Sequence, residues 1–492
     1  MSHLLALDQG TSSSKAIIFN LSGRVVGAGQ HEFDNIFPAD GWVEQDPEVL
    51  WRTTLLAGRE ALASAGLKGE DIAAIGITNQ RETTLVWDRQ TGRCLHNAIV
   101  WQDRRTADRC ELMRLDGLAD AVAETTGLII DPYFSATKLA WLLDNVAGSR
   151  ERAETGALAF GTVDTYLVSR LTKGQHHATD ASNASRTMLF DIAGQTWSER
   201  LLNYFNIPAA LLPEVRDSAG DFGVADPEWF GAPIPICGIA GDQQAALIGQ
   251  GCFNPGMAKS TYGTGCFAMI NTGTEQLQSQ QQLLTTIAYR LSGSTTYALE
   301  GSIFSAGVAV KWLRDQLGLV VDAADTEAAA VRAQGDTAGV FLVPAFTGLG
   351  APHWAPEARG LVAGLTLATT RDQLITATLQ SVAFQSHELI AAMACDGAVV
   401  DNLRVDGGMV VNDWLCQCLA DVVNLPVERP EITETTALGA AILAALGAGL
   451  VEDLDAAARL WNLEREFLPA MDAARRESLL KGWHAAVART LL

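Results

Sequence analysis

"HLLALDQGTSSSKAIIFN", residues 3–20, holds two apolar runs separated by a Gly/Ser-rich turn, which is the pattern of a β-hairpin. A second turn at "LSGR" and a further apolar run, "VVGAGQ", extend it to three strands. The form returns at 257–271, "MAKSTYGTGCFAMIN": apolar strand, Gly-Thr turn, apolar strand. We read the two as a weak internal repeat, two related domains that each carry a Gly-Thr hairpin. Gly and Pro cluster between them in "GQGCFNPG", residues 249–256, which divides the chain into 1–250 and 251–492. Helices are predicted over 48–66 and 136–145, and strands at "IAAIGIT" and "IPICGIA". Such a mixture is an α/β protein. No low-complexity linker separates the halves, so they are expected to pack closely over a cleft.

The bulk numbers narrow the function. At 492 residues the chain is too long for one ordinary core, and 48% hydrophobic with 19% charged is globular composition. Thirty-five basic against 57 acidic residues leave a net charge of −22, which argues against a nucleic-acid partner. An anionic ligand would need local devices: backbone N–H groups, a few cations and a metal ion. Asp8 interrupts the first apolar stretch and no basic lead-in precedes it, so no export signal is read. The longest apolar run, "ALGAAILAALGAGLV" at 437–451, is shorter than a membrane span. It reads as a buried helix, with no membrane insertion. Eight cysteines without a CxxC pair are neither a disulfide framework nor a zinc site; reduced thiols and a cytoplasmic location are expected.

Three turns have the makings of a phosphate site. In "LDQGTSSSK", 7–15, a turn of this kind exposes several N–H groups to one point. Thr11, Ser12 and Ser13 add hydroxyls and Lys15 a charge, and Asp8 is suited to orient Mg²⁺ through water. "YGTGCF", 262–267, offers the same from the second half. In "RVDGGMVVND", 404–413, a strand ends at Asp406 and a helix begins near Asn412, a junction that suits phosphate. Each turn alone also reads as plain turn structure, the Gly-Gly turn more readily than not. Together, spread over both halves, they fit a nucleotide bridging a cleft.

Two further stretches carry carboxylates. In "PIPICGIAGDQQAALIGQ", 233–250, Asp242 opens a helix, either as its N-cap or as a base at the domain junction, and the two readings can coexist. In "NQRETTLVW", 79–87, Arg81 and Glu82 stand side by side where a strand ends. They are either a surface ion pair or a clamp for a small hydroxyl-rich molecule, which needs donors and acceptors together.

Those stretches, with "NAIVWQDRRT", "GLIIDPYFSATKLAWLLDN", "ASNASRTMLF", "VPAFTGLGAPHW" and "GLVAGLTLATTRDQLITATLQ", resemble the glycerol kinases of the FGGY carbohydrate kinase family. The resemblance runs from residue 4 to about residue 450. It implies an actin-like ATPase fold, two ribonuclease-H-like domains flanking a nucleotide cleft. The implied reaction is phosphorylation of glycerol to sn-glycerol 3-phosphate by Mg-ATP. It also implies that Arg81, Glu82, Tyr133, Asp242 and Gln243 hold the polyol hydroxyls, with Trp101 and Phe267 along its carbons and Asp242 as general base. Thr11, Ser12, Ser13, Lys15, Thr264, Gly307, Lys311, Gly408 and Asn412 would surround the nucleotide. Asp8 and Asp242 would orient Mg²⁺ through water. Family members are usually dimers or tetramers, so a homo-oligomer is expected.

Some residues depart from that pattern. Lys15 stands where many glycerol kinases have Arg, which keeps the charge and loses the planar fork. Lys311 replaces a frequent Gln, and a solvated side chain is expected there. "DPEWFGAPIPI", 226–236, lacks the Gly-Gly-x-Arg pattern tied to inhibition by fructose 1,6-bisphosphate. The tail beyond 450 offers no motif from which a role is read. Two other functions stay open: an FGGY kinase for another polyol or ketose, and an actin-like ATPase that drives conformational change. The "NQRE" clamp and Trp101 speak against the last.

Overall fold

Leu4, Leu5, Ala6 and Leu7 are all buried, so the opening strand is covered on both faces and belongs inside a layered α/β body. The computed structural model describes residues 3–492. In it β1 (His3–Gln9) and β2 (Ser13–Asn20) pair antiparallel, with Asp8 opposite Lys15. β3 (Val25–Glu32) continues the meander. β4 (Ile72–Asn79) lies parallel to β1, and β5 (Ile234–Gly241) parallel to β4. The order across this sheet is β5-β4-β1-β2-β3, with the short strand Val224–Ala225 outside β5.

The second sheet repeats the plan. It contains β6 (Met257–Tyr262), β7 (Cys266–Gly273), β8 (Leu284–Leu291), β9 (Ser294–Ile303), β10 (Asn402–Asp406), β11 (Val427–Pro430) and β12 (Leu463–Phe467). Its order is β8-β9-β7-β6-β10-β11-β12. The segment β9-β7-β6-β10-β11 matches β3-β2-β1-β4-β5 in order and in strand direction. The faint sequence repeat is therefore a duplicated five-stranded sheet, each copy opening on a Gly-Thr hairpin.

Eight helices matter below: α1 (Pro47–Ala65), α2 (Ser135–Asn145), α3 (Asp242–Gly249), α4 (Gly307–Asp315), α5 (Arg371–Cys395), α6 (Asp413–Val423), α7 (Thr435–Gly447) and α8 (Ala473–Thr490). The expected buried helix is α7. It lies late in the chain, yet its Ala437–Ala445 stretch packs against Leu4, Ala6, Ala74 and Ala240 of the first sheet. α3 and α7 cross backbone to backbone. A Cβ on Gly439 would stand 1.8 Å from the Ala245 carbonyl oxygen, and one on Gly249 1.9 Å from that of Thr435. Only glycine lets the helices approach this closely.

The tail has a plain structural role. β12 adds an antiparallel strand to β11, and Trp483 of α8, fully buried, stacks on Phe384 of α5 at 5.3 Å. This segment closes the core of the second sheet. β1, β4 and β5 finish at Gln9, Asn79 and Gly241, while β6 and β10 finish at Tyr262 and Asp406. Ligands of α/β sheets bind at such carboxyl ends.

Candidate active site

The chain turns sharply after β4. Gln80 N–H donates to Gln9 O at 2.7 Å, and Glu82 takes a left-handed φ of 61°. That conformation is unusual for a residue with a Cβ and marks a held position. Ser135 Oγ, at the start of α2, and Thr84 Oγ1 each donate to Glu82 O at 2.9 Å. The turn drives Arg81 and Glu82 inward, at 3% and 1% exposure. A surface ion pair is excluded.

Their partners come from both sheets. Arg81 Nη1 donates to Glu300 Oε2 at 2.5 Å and Nη2 to Glu300 Oε1 at 2.9 Å, and Glu300 lies on β9. Arg81 Nε stands 3.1 Å from Asp242 Oδ1. Arg186 Nε donates to Glu82 Oε1 at 2.7 Å, and its Nη2 to Glu300 Oε1 at 3.1 Å. Lys259 of β6 donates to Gln243 Oε1 at 2.5 Å. Arg81, Arg186 and Lys259 thus gather with Glu82 and Glu300 in the interior, where unpaired charge is costly, and Asp242 stands at the edge of the cluster.

Burial dominates the acidities. It pushes Glu82 up against the pull of Arg186 and Arg81, and Asp242 up against Arg81 and Lys259. It lowers Lys259. Glu300 goes the other way: burial would raise it, but Arg186 and Arg81 hold it at about 2. Asp242 is the first residue of α3 and caps nothing beyond its own neighbour: Gly241 holds the cap position, and Asp242 Oδ1 accepts only Gln243 N–H, at 2.7 Å. The N-cap reading of Asp242 is therefore corrected, because the helix begins one residue earlier than the sequence suggests.

The aromatic residues gather beside this cluster. Trp101 and Tyr133 meet edge to face at 5.5 Å, Trp101 Nε1 donates to Thr11 Oγ1 at 2.9 Å, and Arg186 sits 5.7 Å from the Tyr133 ring. Phe267 of β7 lies 6.0 Å from the Arg81 guanidinium carbon. No partner among the described residues takes the Tyr133 hydroxyl. Lys138, fully buried, holds the Tyr133 loop by donating to Pro132 O at 3.2 Å and Tyr133 O at 2.5 Å.

Thr264, Gly307, Lys311, Gly408 and Asn412 line one cavity of about 380 Å³, together with Val310 of α4 and Leu379 of α5. A Cβ on Gly408 would meet nothing within 4 Å, so its hydrogen faces open space. Asn412 caps α6 by accepting Leu415 N–H at 2.9 Å. Lys311 lines the cavity with no ion pair among the described residues. The first turn lies apart from that cavity wall. Ser13 Oγ accepts Gln30 Nε2 at 3.1 Å, Ser12 is exposed, and Lys15 Nζ donates to both Glu434 oxygens at 2.8 Å.

The resemblance implies a magnesium ion, and the donor set suits one. Burial pushes Asp8 up to about 7, Lys15 pulls it back, and Asp242 and Glu434 push further. No donor reaches its carboxylate among the described residues. No group of three or more His, Cys, Asp or Glu side chains forms a cage there either. Two carboxylates without a cage fit Mg²⁺, which keeps most of its water.

The sequence profiles of the FGGY family of carbohydrate kinases match here, the N-terminal domain over residues 3–249 and the C-terminal domain over 258–448. The chain belongs to this family. Among its relatives are a glycerol kinase of Rhodospirillum centenum, 58% identical with 99% of this chain and 98% of that one covered, and glycerol kinase 1 of Pseudomonas aeruginosa, 58% identical with 99% of each covered. A Plasmodium falciparum glycerol kinase solved with ADP superposes with a TM-score of 0.93 at 35% identity, covering 100% of this chain and 99% of that one. A Lactobacillus acidophilus xylulose kinase, 20% identical with 99% of this chain and 98% of that one covered, shares the fold at a TM-score of 0.88. No helix among the described residues of this FGGY kinase is long and apolar enough to cross a membrane.

Sequence reading missed Glu300, Arg186 and Lys259. The signal for two of them was present: Glu300 is the one charged residue of β9, and Lys259 the one charged residue of β6. A lone charge inside a buried strand needs a partner.

Proposed function

We propose that the chain transfers the γ-phosphoryl group of ATP to a terminal hydroxyl of glycerol, giving sn-glycerol 3-phosphate and ADP. The observation that carries this reading is the paired cluster of Arg81, Glu82 and Asp242 at the sheet ends, in a chain 58% identical to glycerol kinases. Halves 1–250 and 251–492 act as the two domains, the first supplying most of the polyol site and the second most of the nucleotide site.

Glycerol lies between the charged cluster of Arg81, Glu82 and Asp242 and the aromatic side chains beside it. Arg81, Tyr133 and Gln243 donate to its oxygens, while Glu82 and Asp242 accept from its hydroxyls. Trp101 and Phe267 cover its carbon side and exclude water, which would otherwise take the phosphoryl group. Asp242 accepts the proton of the attacking hydroxyl, whose oxygen bonds to the γ-phosphorus as the bond to the β–γ bridging oxygen breaks. Burial raises the proton affinity of Asp242, which suits a base. The cavity lined by Thr264, Gly307, Lys311, Gly408 and Asn412 takes the nucleotide, and the turn of Thr11, Ser12, Ser13 and Lys15 faces its phosphates. Lys15 reaches them by leaving Glu434. Asp8 and Asp242 would hold Mg²⁺ through water, and the ion would supply charge neutralisation on the phosphates.

A coupled ADP-release assay over glycerol, dihydroxyacetone, xylulose, ribulose and gluconate tests the substrate. Turnover with glycerol at least about a hundredfold above xylulose, ribulose and gluconate is expected, since unpaired buried polar groups reject the wrong substrate strongly. Preference for a ketose, or rapid ATP turnover with no polyol, would remove the reading.

A further inference from the structure

Arg81 has five N–H donors in a rigid fork. Three are committed: two to Glu300, at 2.5 and 2.9 Å, and one to Gln244 Oε1, at 3.2 Å. The remaining edge, Nε and one N–H of Nη2, is left for other partners, with Nε 3.1 Å from Asp242 and 3.8 Å from Glu82. Glu300 is itself fixed from the other side by Arg186, which also grips Glu82. Arg81, Glu300, Arg186 and Glu82 therefore close a ring of alternating charge, all four fully or nearly fully buried. Asp242 stands outside that ring, one-third exposed.

We propose that Glu300 is a positioning residue of the polyol clamp: from the second sheet it grips one edge of the Arg81 guanidinium and so turns the other edge toward the substrate hydroxyls. Without it, the freed fork has Asp242 as its nearest carboxylate, and a two-bond closure there satisfies the charge. That closure would withdraw both the clamp and the base. Glu300 stays ionised for this task because Arg186 and Arg81 outweigh its burial. The inference rests on the reading of Arg81 as a hydroxyl donor given above.

The test is steady-state kinetics of Glu300→Gln with glycerol and ATP varied separately. Glycerol KM should rise and kcat fall, each about tenfold or more, since small misplacements at a reacting centre are costly. ATP KM should stay within about twofold, and Arg81→Gln/Glu300→Gln should match Arg81→Gln alone within about twofold, because the two residues act as one unit. Glu300→Gln leaves Arg81 half-paired and can fold poorly; the double variant removes both charges and keeps the comparison available. An ATP KM that rises in step with that of glycerol, or a Glu300→Gln cost that persists in the Arg81→Gln background, would overturn the proposal. Unchanged glycerol kinetics in Glu300→Gln, with glycerol KM raised in Arg81→Ala, would remove Glu300 alone. Unchanged glycerol KM in Arg81→Ala would remove the clamp reading itself.

Discussion

Arg81 Nε lies 3.1 Å from Asp242 Oδ1, joining the turn after β4 to the first residue of α3. Neither residue has a role in capping its own element, and neither is free to reach bulk water fully. Their meeting puts a donor and an acceptor on one side of the proposed polyol site, to which Tyr133, Trp101 and Phe267 are assigned as the other sides.

Arg81→Ala should raise glycerol KM about ten- to a hundredfold, the effect of losing a hydrogen bond to a charged group at about 1.5–3 kcal/mol. ATP KM should move by less than about threefold, as the nucleotide cavity does not contain Arg81. Kinetics with each substrate varied in turn check this. Equal losses for both substrates would mean that the clamp is misassigned.

Gly408→Val tests the nucleotide cavity. A Cβ at Gly408 meets no atom within 4 Å, so the fold should accept the side chain and the cavity should lose its room. ATP KM should rise about tenfold or more, with the melting temperature within about 2 °C, as expected of a substitution that creates neither a core clash nor a buried polar orphan. A large fall in melting temperature, or unchanged ATP kinetics, would place the nucleotide elsewhere.

His177 gives a pH signature of the fold. Its Nε2 lies 2.8 Å from Phe160 O, its ring meets Trp87 edge-on at 5.5 Å, and burial lowers its pKa from 6.5 to about 4. Between those values the unfolded chain binds more protons than the folded one. The contribution is therefore fully present above about pH 6.5 and falls away as pH drops toward about 4, by on the order of 3 kcal/mol at most. Urea denaturation of wild type and His177→Gln at about pH 7.5 and about pH 5 measures it. The variant should show a flatter decline; an identical slope would contradict the assignment.

Much of the fold was legible because its signals are local. The hairpins at 3–20 and 257–271 carry their own turn chemistry, and the strands at 72–79 and 234–241 are plain apolar runs. The placement of α7 was not legible. Its run is apolar all round, which marks burial without naming a partner, and its seat on the first sheet depends on the Gly439–Ala245 and Gly249–Thr435 contacts across almost 200 residues. Trp483 was silent for a similar reason: it fills a gap beside Phe384 that only the assembled sheet defines. In the site, Arg81, Glu82 and Asp242 stood out as charges next to apolar strands. The ring that binds Arg81 and Glu82 did not, since Arg186 and Glu300 lie more than a hundred residues from both, and pairing between buried charges leaves no local pattern.

The most direct measurement is single-turnover and steady-state phosphorylation by Asp242→Asn, with glycerol binding followed by calorimetry on the same protein. The account predicts a kcat lowered about 10²- to 10⁴-fold, the usual contribution of a positioned base, with the glycerol Kd within about fivefold of wild type. Near-normal turnover in Asp242→Asn, or glycerol binding lost in proportion to turnover, would contradict it.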